Sequence, residues 1–160
     1  MKPLPHIYQA RVTGGPGEYA VLSTPGTPDL RAAPPLEYDG PGDAWSPESL
    51  LLTAVEACFL FTLRAVAKAA KVEFISLDLH SEGTVDRQHD ITRFTEIVLR
   101  PRLTLGPGGD RERARWVLEK SKQACLVTAS LSTPVRVEPD ITSACSWTEA
   151  VWHIVADVST

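Results

Sequence analysis

Apolar residues fall on every side of one long stretch of this chain. In SPESLLLTAVEACFLF, residues 46–61, and the turns that follow it, Leu50, Leu51, Leu52, Ala54, Val55, Cys58, Phe59, Leu60, Phe61, Leu63 and Val66 cover nearly the whole circumference of a helix. Ser46 is a good N-cap, Pro47 suits the first helical position, and Glu48 lies where the positive end of the helix dipole favours an acid. The pattern predicts a helix from Ser46 to about Lys71, roughly 35–40 Å long at the standard rise. A helix that is apolar all round must be enclosed on all sides. One small sheet cannot do this, so a second copy of the chain is expected to supply the missing cover. The lysines of RAVAKAAK mark the end that returns to water.

Elsewhere the period is two. HIYQARVT and EYAVLST flank GGPG, so residues 6–23 predict a hairpin whose glycines supply the positive φ of a tight turn. Residues 24–45 are rich in proline and glycine and show no period, which predicts an irregular loop of functional or partner-covering kind. In ISLDLHSEGTVD, Ile75, Leu77, Leu79 and Val85 share one face, while Asp78, His80, Glu82 and Asp86 share the other. In TEIVLRPRLTL, Ile97, Leu99, Leu103 and Leu105 alternate with Glu96, Arg100 and Arg102. An antiparallel pair with one wet face follows, joined by the polar loop RQHDITR. Asp110 then caps a second helix, RERARWVLEKSKQAC, with Ala114, Val117, Leu118, Ser121 and Cys125 on its inward face. TPVRVEP reads as a last core strand, and the final fifteen residues, with Trp147 and Trp152, as a short element docked on the surface. No repeat or shift in composition marks a second domain. The expectation is one α+β domain over residues 1–160.

Composition narrows the function classes. The chain has 160 residues, 43% hydrophobic and 22% charged, enough for a sizeable core. A net charge of −4 leaves no electrostatic footprint for nucleic acid or an anionic membrane surface. The start, MKPLPHIYQ, lacks the apolar centre of a secretory signal. The apolar run 50–63 is broken by Thr53, Glu56 and Thr62 and is too short to span a bilayer. Three cysteines are too few for a disulfide scaffold, so a reducing cytoplasm is the expected setting. His6, His80, His89 and His153 show no paired ligand spacing with one another or with the cysteines, and neither a metal nor an organic cofactor is expected. No phosphate-binding glycine loop and no G-x-S-x-G elbow appears.

Two inward-facing cysteines remain, Cys58 in the apolar helix and Cys125 at the end of the amphipathic one. Here the chain resembles the osmotically induced and organic-hydroperoxide-resistance proteins, the OsmC/Ohr family. SPESLLLTAVEACF is similar to that family's S/N-P-E-x-L…A-C-F helix, and KSKQACLVTASL to its A-x-x-x-C-P-x-S-x-x-L segment, with Cys125 sixty-seven positions after Cys58. The resemblance implies an α+β fold of intertwined homodimers with long helices at the centre and antiparallel sheets wrapped around them. It also implies a thiol peroxidase. Cys58 would attack an organic hydroperoxide and become a sulfenic acid, Cys125 would condense with it to a disulfide, and a dithiol or protein-bound lipoyl reductant would restore both. Glu48 matches a glutamate that, in the family, holds an arginine, and that arginine holds the thiolate.

The chemistry also stands on its own terms. Burial raises a thiol's pKa, so a buried nucleophile needs a cationic or hydrogen-bonding partner. A second thiol nearby traps the sulfenic acid before irreversible oxidation. Phe59 and Phe61 beside Cys58 would make a pocket that suits a bulky organic peroxide. Glu48 lies ten residues before Cys58, nearly three turns away, and does not reach it unaided. The chain departs from the family pattern at three places: Pro16 and Glu37 stand where two branches carry the arginine, and Leu126 replaces the proline after the second cysteine. Arg31, the one arginine of the irregular loop, is then expected to bridge Glu48 and Cys58, with Arg11 as the next substitute. Glu56 and Cys145 receive no role. The expected function is a cysteine peroxidase, and the alternative is a non-enzymatic dimer that binds a small lipophilic molecule in an apolar pocket near Cys58.

Overall fold

The computed structural model describes residues 3–144. Cys145, Trp147, Trp152 and His153 lie outside the described residues, as does the expected C-terminal element. The chain forms two compact units, one ending at Leu51 and one beginning at Leu52.

The first unit holds an antiparallel sheet of three short strands, β1 (Arg11–Gly14), β2 (Ala20–Ser23) and β3 (Leu30–Ala32), in that order. The predicted hairpin is present, with Arg11 opposite Ser23 and Gly14 opposite Ala20. It is shorter than expected, and the glycines with positive φ are Gly26, Gly42 and Gly108, not those of GGPG. A five-residue connection closes β1 onto β2 without a left-handed residue. The stretch expected to be irregular contains β3, paired with β2 along Ala20–Ala32 and Leu22–Leu30, and a 3-10 turn at Leu36–Tyr38. A three-residue strand is too short to show a period.

Helix α1 (Pro47–Ala70) begins where its capping residues place it. Ser46 Oγ accepts from Ser49 N–H at 3.1 Å and the Ser46 amide donates back to Ser49 Oγ at 3.0 Å, a reciprocal cap that satisfies donors the helix cannot. Within the second unit only one stripe of α1 is buried, Val55, Phe59, Leu63 and Ala67 at successive four-residue steps. Leu50, Leu51, Leu52, Cys58, Leu60 and Val66 are only partly buried and Phe61 is 62% exposed, so the apolar circumference is not fully covered in a single protomer. The helix as formed is longer than the apolar run 50–63. By length and composition it passes the test for a membrane span, as the core helix of a water-soluble fold also does.

The buried stripe packs on the long hairpin of β4 (Phe74–Gln88) and β5 (Ile91–Leu105) and on α2 (Arg111–Ala124). As expected, Ile97, Leu99, Leu103 and Leu105 face the core, as do Ala114, Val117 and Leu118, and Asp110 caps α2 by accepting from Arg113 N–H at 2.9 Å. Two features of the hairpin differ from expectation. The strands run on through RQHDITR and turn at His89 and Asp90, whose φ values of 49° and 62° are those of a tight type I′ connection. Register shifts at Phe74/Ser76 and Thr84/Val85 carry Ile75 and Val85 off the core face, leaving them 62% and 41% exposed. At Gly83 an added Cβ would meet the Phe94 ring at 2.5 Å, so the close approach of that ring favours glycine there. Strand β6 (Val135–Val137), the expected last strand, and a further strand, β7 (Asp140–Ser143), both run parallel to β5, at Ile97–Leu99 and Arg102–Leu105 respectively.

Candidate active site

Cys58 sits in the middle of α1, half-buried, with Thr62 one turn further along the same face. Cys125 is the residue at which α2 stops. Its N–H donates to Lys122 O at 3.3 Å, its backbone is extended at φ −71° and ψ 113°, and its carbonyl then accepts from Ala129 N–H at 2.9 Å to start the short helix α3 (Leu126–Ala129). The break between the two helices carries the Cys125 side chain inward, where it is fully buried.

The fold brings the two thiols, sixty-seven positions apart, into one hydrogen bond, Cys125 donating to the Cys58 sulfur. Burial pushes the Cys58 thiol up, but the Val127 amide, the Cys125 thiol, the Thr62 hydroxyl and the Leu126 amide all favour its anion. Together they hold it below the ordinary thiol value. Cys125 moves the other way: burial raises it, and so do its bond to Cys58 and the charge that Cys58 carries, against the opposing pull of the Thr128 hydroxyl. That hydroxyl lies 3.1 Å from Cys125 Sγ. One thiol is therefore poised as a nucleophile and its neighbour as a protonated donor.

The remaining expected residues lie as follows. Glu48 is in the first turn of α1, and its Oε2 is buried without a hydrogen-bond partner among the described residues. It lines an apolar cavity of about 550 Å³ in the first unit, with Val12, Ala20, Leu22, Ala33 and Tyr38 among the walls. Arg31 takes partners other than the expected Glu48 and Cys58. Its guanidinium donates to Asp43 Oδ2 at 3.0 Å and to Asp43 O at 2.9 Å, and lies 4.7 Å over the Tyr19 ring. The physical reason is local: Asp43 offers a carboxylate twelve residues on, already fixed by the Tyr19 hydroxyl at 3.0 Å. The Tyr19 hydrogen bond and the Arg31 charge hold the Asp43 carboxyl below its usual range. Arg11, on β1, is exposed. Phe59 is fully buried in the core, and Phe61 is exposed with the Arg64 guanidinium 5.7 Å over its ring. Glu56 accepts from Ser81 Oγ at 2.7 Å, tying α1 to β4.

Thr62, Val127 and Thr128 were not singled out from the sequence, and Leu126 was noted only as a departure from the family pattern. For the threonines a signal was available, since each stands one helical turn after a cysteine, at i+4 and i+3. Amide donors carry no such signature.

A family model described as OsmC-like protein matches residues 40–140, which include both cysteines and Glu48. The chain is 26% identical over 107 residues to the uncharacterized protein YmaD of Bacillus subtilis (strain 168), covering 65% of this chain and 71% of that one. Its fold is similar to that of an OsmC-like protein of unknown function from Vibrio cholerae, with a TM-score of 0.76 at 16% identity over 84% of this chain and 99% of that one. An organic hydroperoxide resistance protein from Elizabethkingia anophelis, with thiocyanate bound, has a TM-score of 0.71 at 22% identity over 90% of this chain and 100% of that one.

Proposed function

The chain belongs to the OsmC-like protein family, and within it we propose that this protein is a thiol-dependent peroxidase that reduces organic hydroperoxides. The observation that carries the reading is the pairing of Cys58 and Cys125, one lowered and one raised in pKa, in direct hydrogen-bond contact. The substrate class is drawn from the similar protein of Elizabethkingia anophelis.

In the proposed reaction the Cys58 thiolate attacks the outer oxygen of the hydroperoxide. The O–O bond breaks, the sulfur gives up two electrons, and the alkoxide leaves as the alcohol after taking a proton. Cys125 then attacks the sulfenic sulfur. The S–S bond forms, the S–O bond breaks, and hydroxide departs with the Cys125 proton as water. A dithiol, free or as a protein-bound lipoyl group, reduces the disulfide and becomes a disulfide itself. The protein acts as a single-domain chain, homodimeric and cytoplasmic, with the second copy covering the open face of α1.

Reduced protein treated with one equivalent of cumene hydroperoxide should lose both thiols and yield a peptide in which Cys58 is joined to Cys125. Two thiols left intact by a modest excess of peroxide would end the enzymatic reading. The alternative, a non-enzymatic dimer holding a lipophilic molecule, finds support in the apolar cavity beside Glu48. That cavity is lined by residues of the first unit and not by Cys58.

A further inference from the structure

Cys125 has the harder task of the two thiols. To close a disulfide with Cys58 it must act as a thiolate, yet it is fully buried, and burial pushes its pKa up. One hydroxyl touches its sulfur: Thr128 Oγ1 donates to Cys125 Sγ at 3.1 Å. Serine and threonine hydroxyls in helices commonly turn back to a carbonyl one turn earlier. The serines on either side do so, Ser121 donating to Val117 O at 2.7 Å and Ser130 to Leu126 O at 2.9 Å. Thr128 donates to the sulfur instead. Cys125 makes this possible by stopping α2 with an extended backbone, so that its side chain stands beside that of the residue three positions on.

We propose that the Thr128 hydroxyl, hydrogen-bonded to the Cys125 sulfur, is a catalytic group that activates Cys125 for disulfide formation with Cys58. The inference rests on the peroxidase reading for its use, but not for its test. As Cys125 attacks the Cys58 sulfenic acid, the Cys125 proton departs with the hydroxide as water. The threonine keeps its own proton, and its O–H dipole faces the charge that develops on the sulfur. The same contact serves the return step. Cys58 is half-buried and Cys125 has no exposed surface, so a dithiol attacks the Cys58 sulfur and Cys125 departs as the thiolate, again beside the Thr128 hydroxyl.

The test replaces the peroxide with the aromatic disulfide DTNB, in the reduced, full-length chain carrying Cys145→Ser so that Cys58 and Cys125 are the two thiols left. The Cys58 thiolate attacks DTNB and one thionitrobenzoate leaves. Cys125 then attacks the Cys58 sulfur of the mixed disulfide and expels a second. Cys58, on α1, is the titratable group that faces Cys125, and in the mixed disulfide it no longer ionises, so the pH profile of the second release reports Cys125. Thr128→Val removes the hydroxyl at nearly constant shape, with Thr128→Ala in its place if the valine chain does not fold by circular dichroism, and Thr128→Ser returns it. Losing one hydrogen bond to an anion should move the inflection up by about one to two pH units. A thiolate of higher pKa is also the better nucleophile, which offsets about half of the effect. The second release at pH 7 should therefore slow about three- to tenfold in Thr128→Val and stay near the parent rate in Thr128→Ser. An unchanged second release in Thr128→Val, an equal slowing in Thr128→Ser, or a parent chain that releases only one thionitrobenzoate would overturn the proposal. Because no peroxide is used, a protein that shows these shifts but ignores hydroperoxides keeps the role of Thr128 and loses only the peroxidase reading.

Discussion

In the proposed homodimer, Phe61 measures how much of α1 the second copy covers. The ring is 62% exposed in the protomer and its one aromatic-face neighbour among the described residues is Arg64, at 5.7 Å. A phenylalanine side chain buries about 200 Å² when fully enclosed, so roughly 120 Å² remains open on each copy. At about 25 cal/mol per Å², enclosing that area contributes roughly 3 kcal/mol per copy, doubled by two-fold symmetry. Alanine retains part of the contact, and the interface relaxes around the smaller side chain. Phe61→Ala should therefore weaken association by about 2–4 kcal/mol, or roughly thirty- to several-hundredfold in the dissociation constant. Sedimentation velocity from nanomolar to high micromolar concentration reads this directly, with circular dichroism as the check that each protomer remains folded. A stable monomeric wild type at micromolar concentration refutes the reasoning at its root. A dimer indifferent to Phe61→Ala would show that the partner covers some other face of α1.

Cys125→Ser removes the resolving thiol, so organic hydroperoxide should carry Cys58 on to sulfinic acid, seen as a two-oxygen adduct on the Cys58 peptide; a stable sulfenic acid would argue that another group protects it. Asp90→Gly places a residue without a Cβ at φ 62° in the hairpin turn and should raise the melting temperature by a few degrees, corresponding to about 0.5–1 kcal/mol. A lowered melting temperature would mean that the Asp90 side chain contributes more to the turn than its backbone strain removes.

The elements that were legible in the sequence are those whose ends carry chemical markers. Ser46, Pro47 and Glu48 announce the start of α1, and Asp110 the start of α2, because capping is done by side chains. The β4–β5 hairpin was legible in its core-facing half and not at its tip. Beyond the second bulge both strands are solvated, so Arg87, Gln88, Thr92 and Arg93 read as a loop although they are paired. The bulges are invisible to a period-two reading, and they are what turned Ile75 and Val85 away from the core. Strands β3 and β7 are three and four residues long and are held by pairing to neighbours rather than by any pattern of their own.

At the site, the cysteines and Glu48 came from residue identity, and the arginine did not follow. Arg31 had the right chemistry and a loop long enough to travel, but Asp43 and Tyr19 engage it close to home.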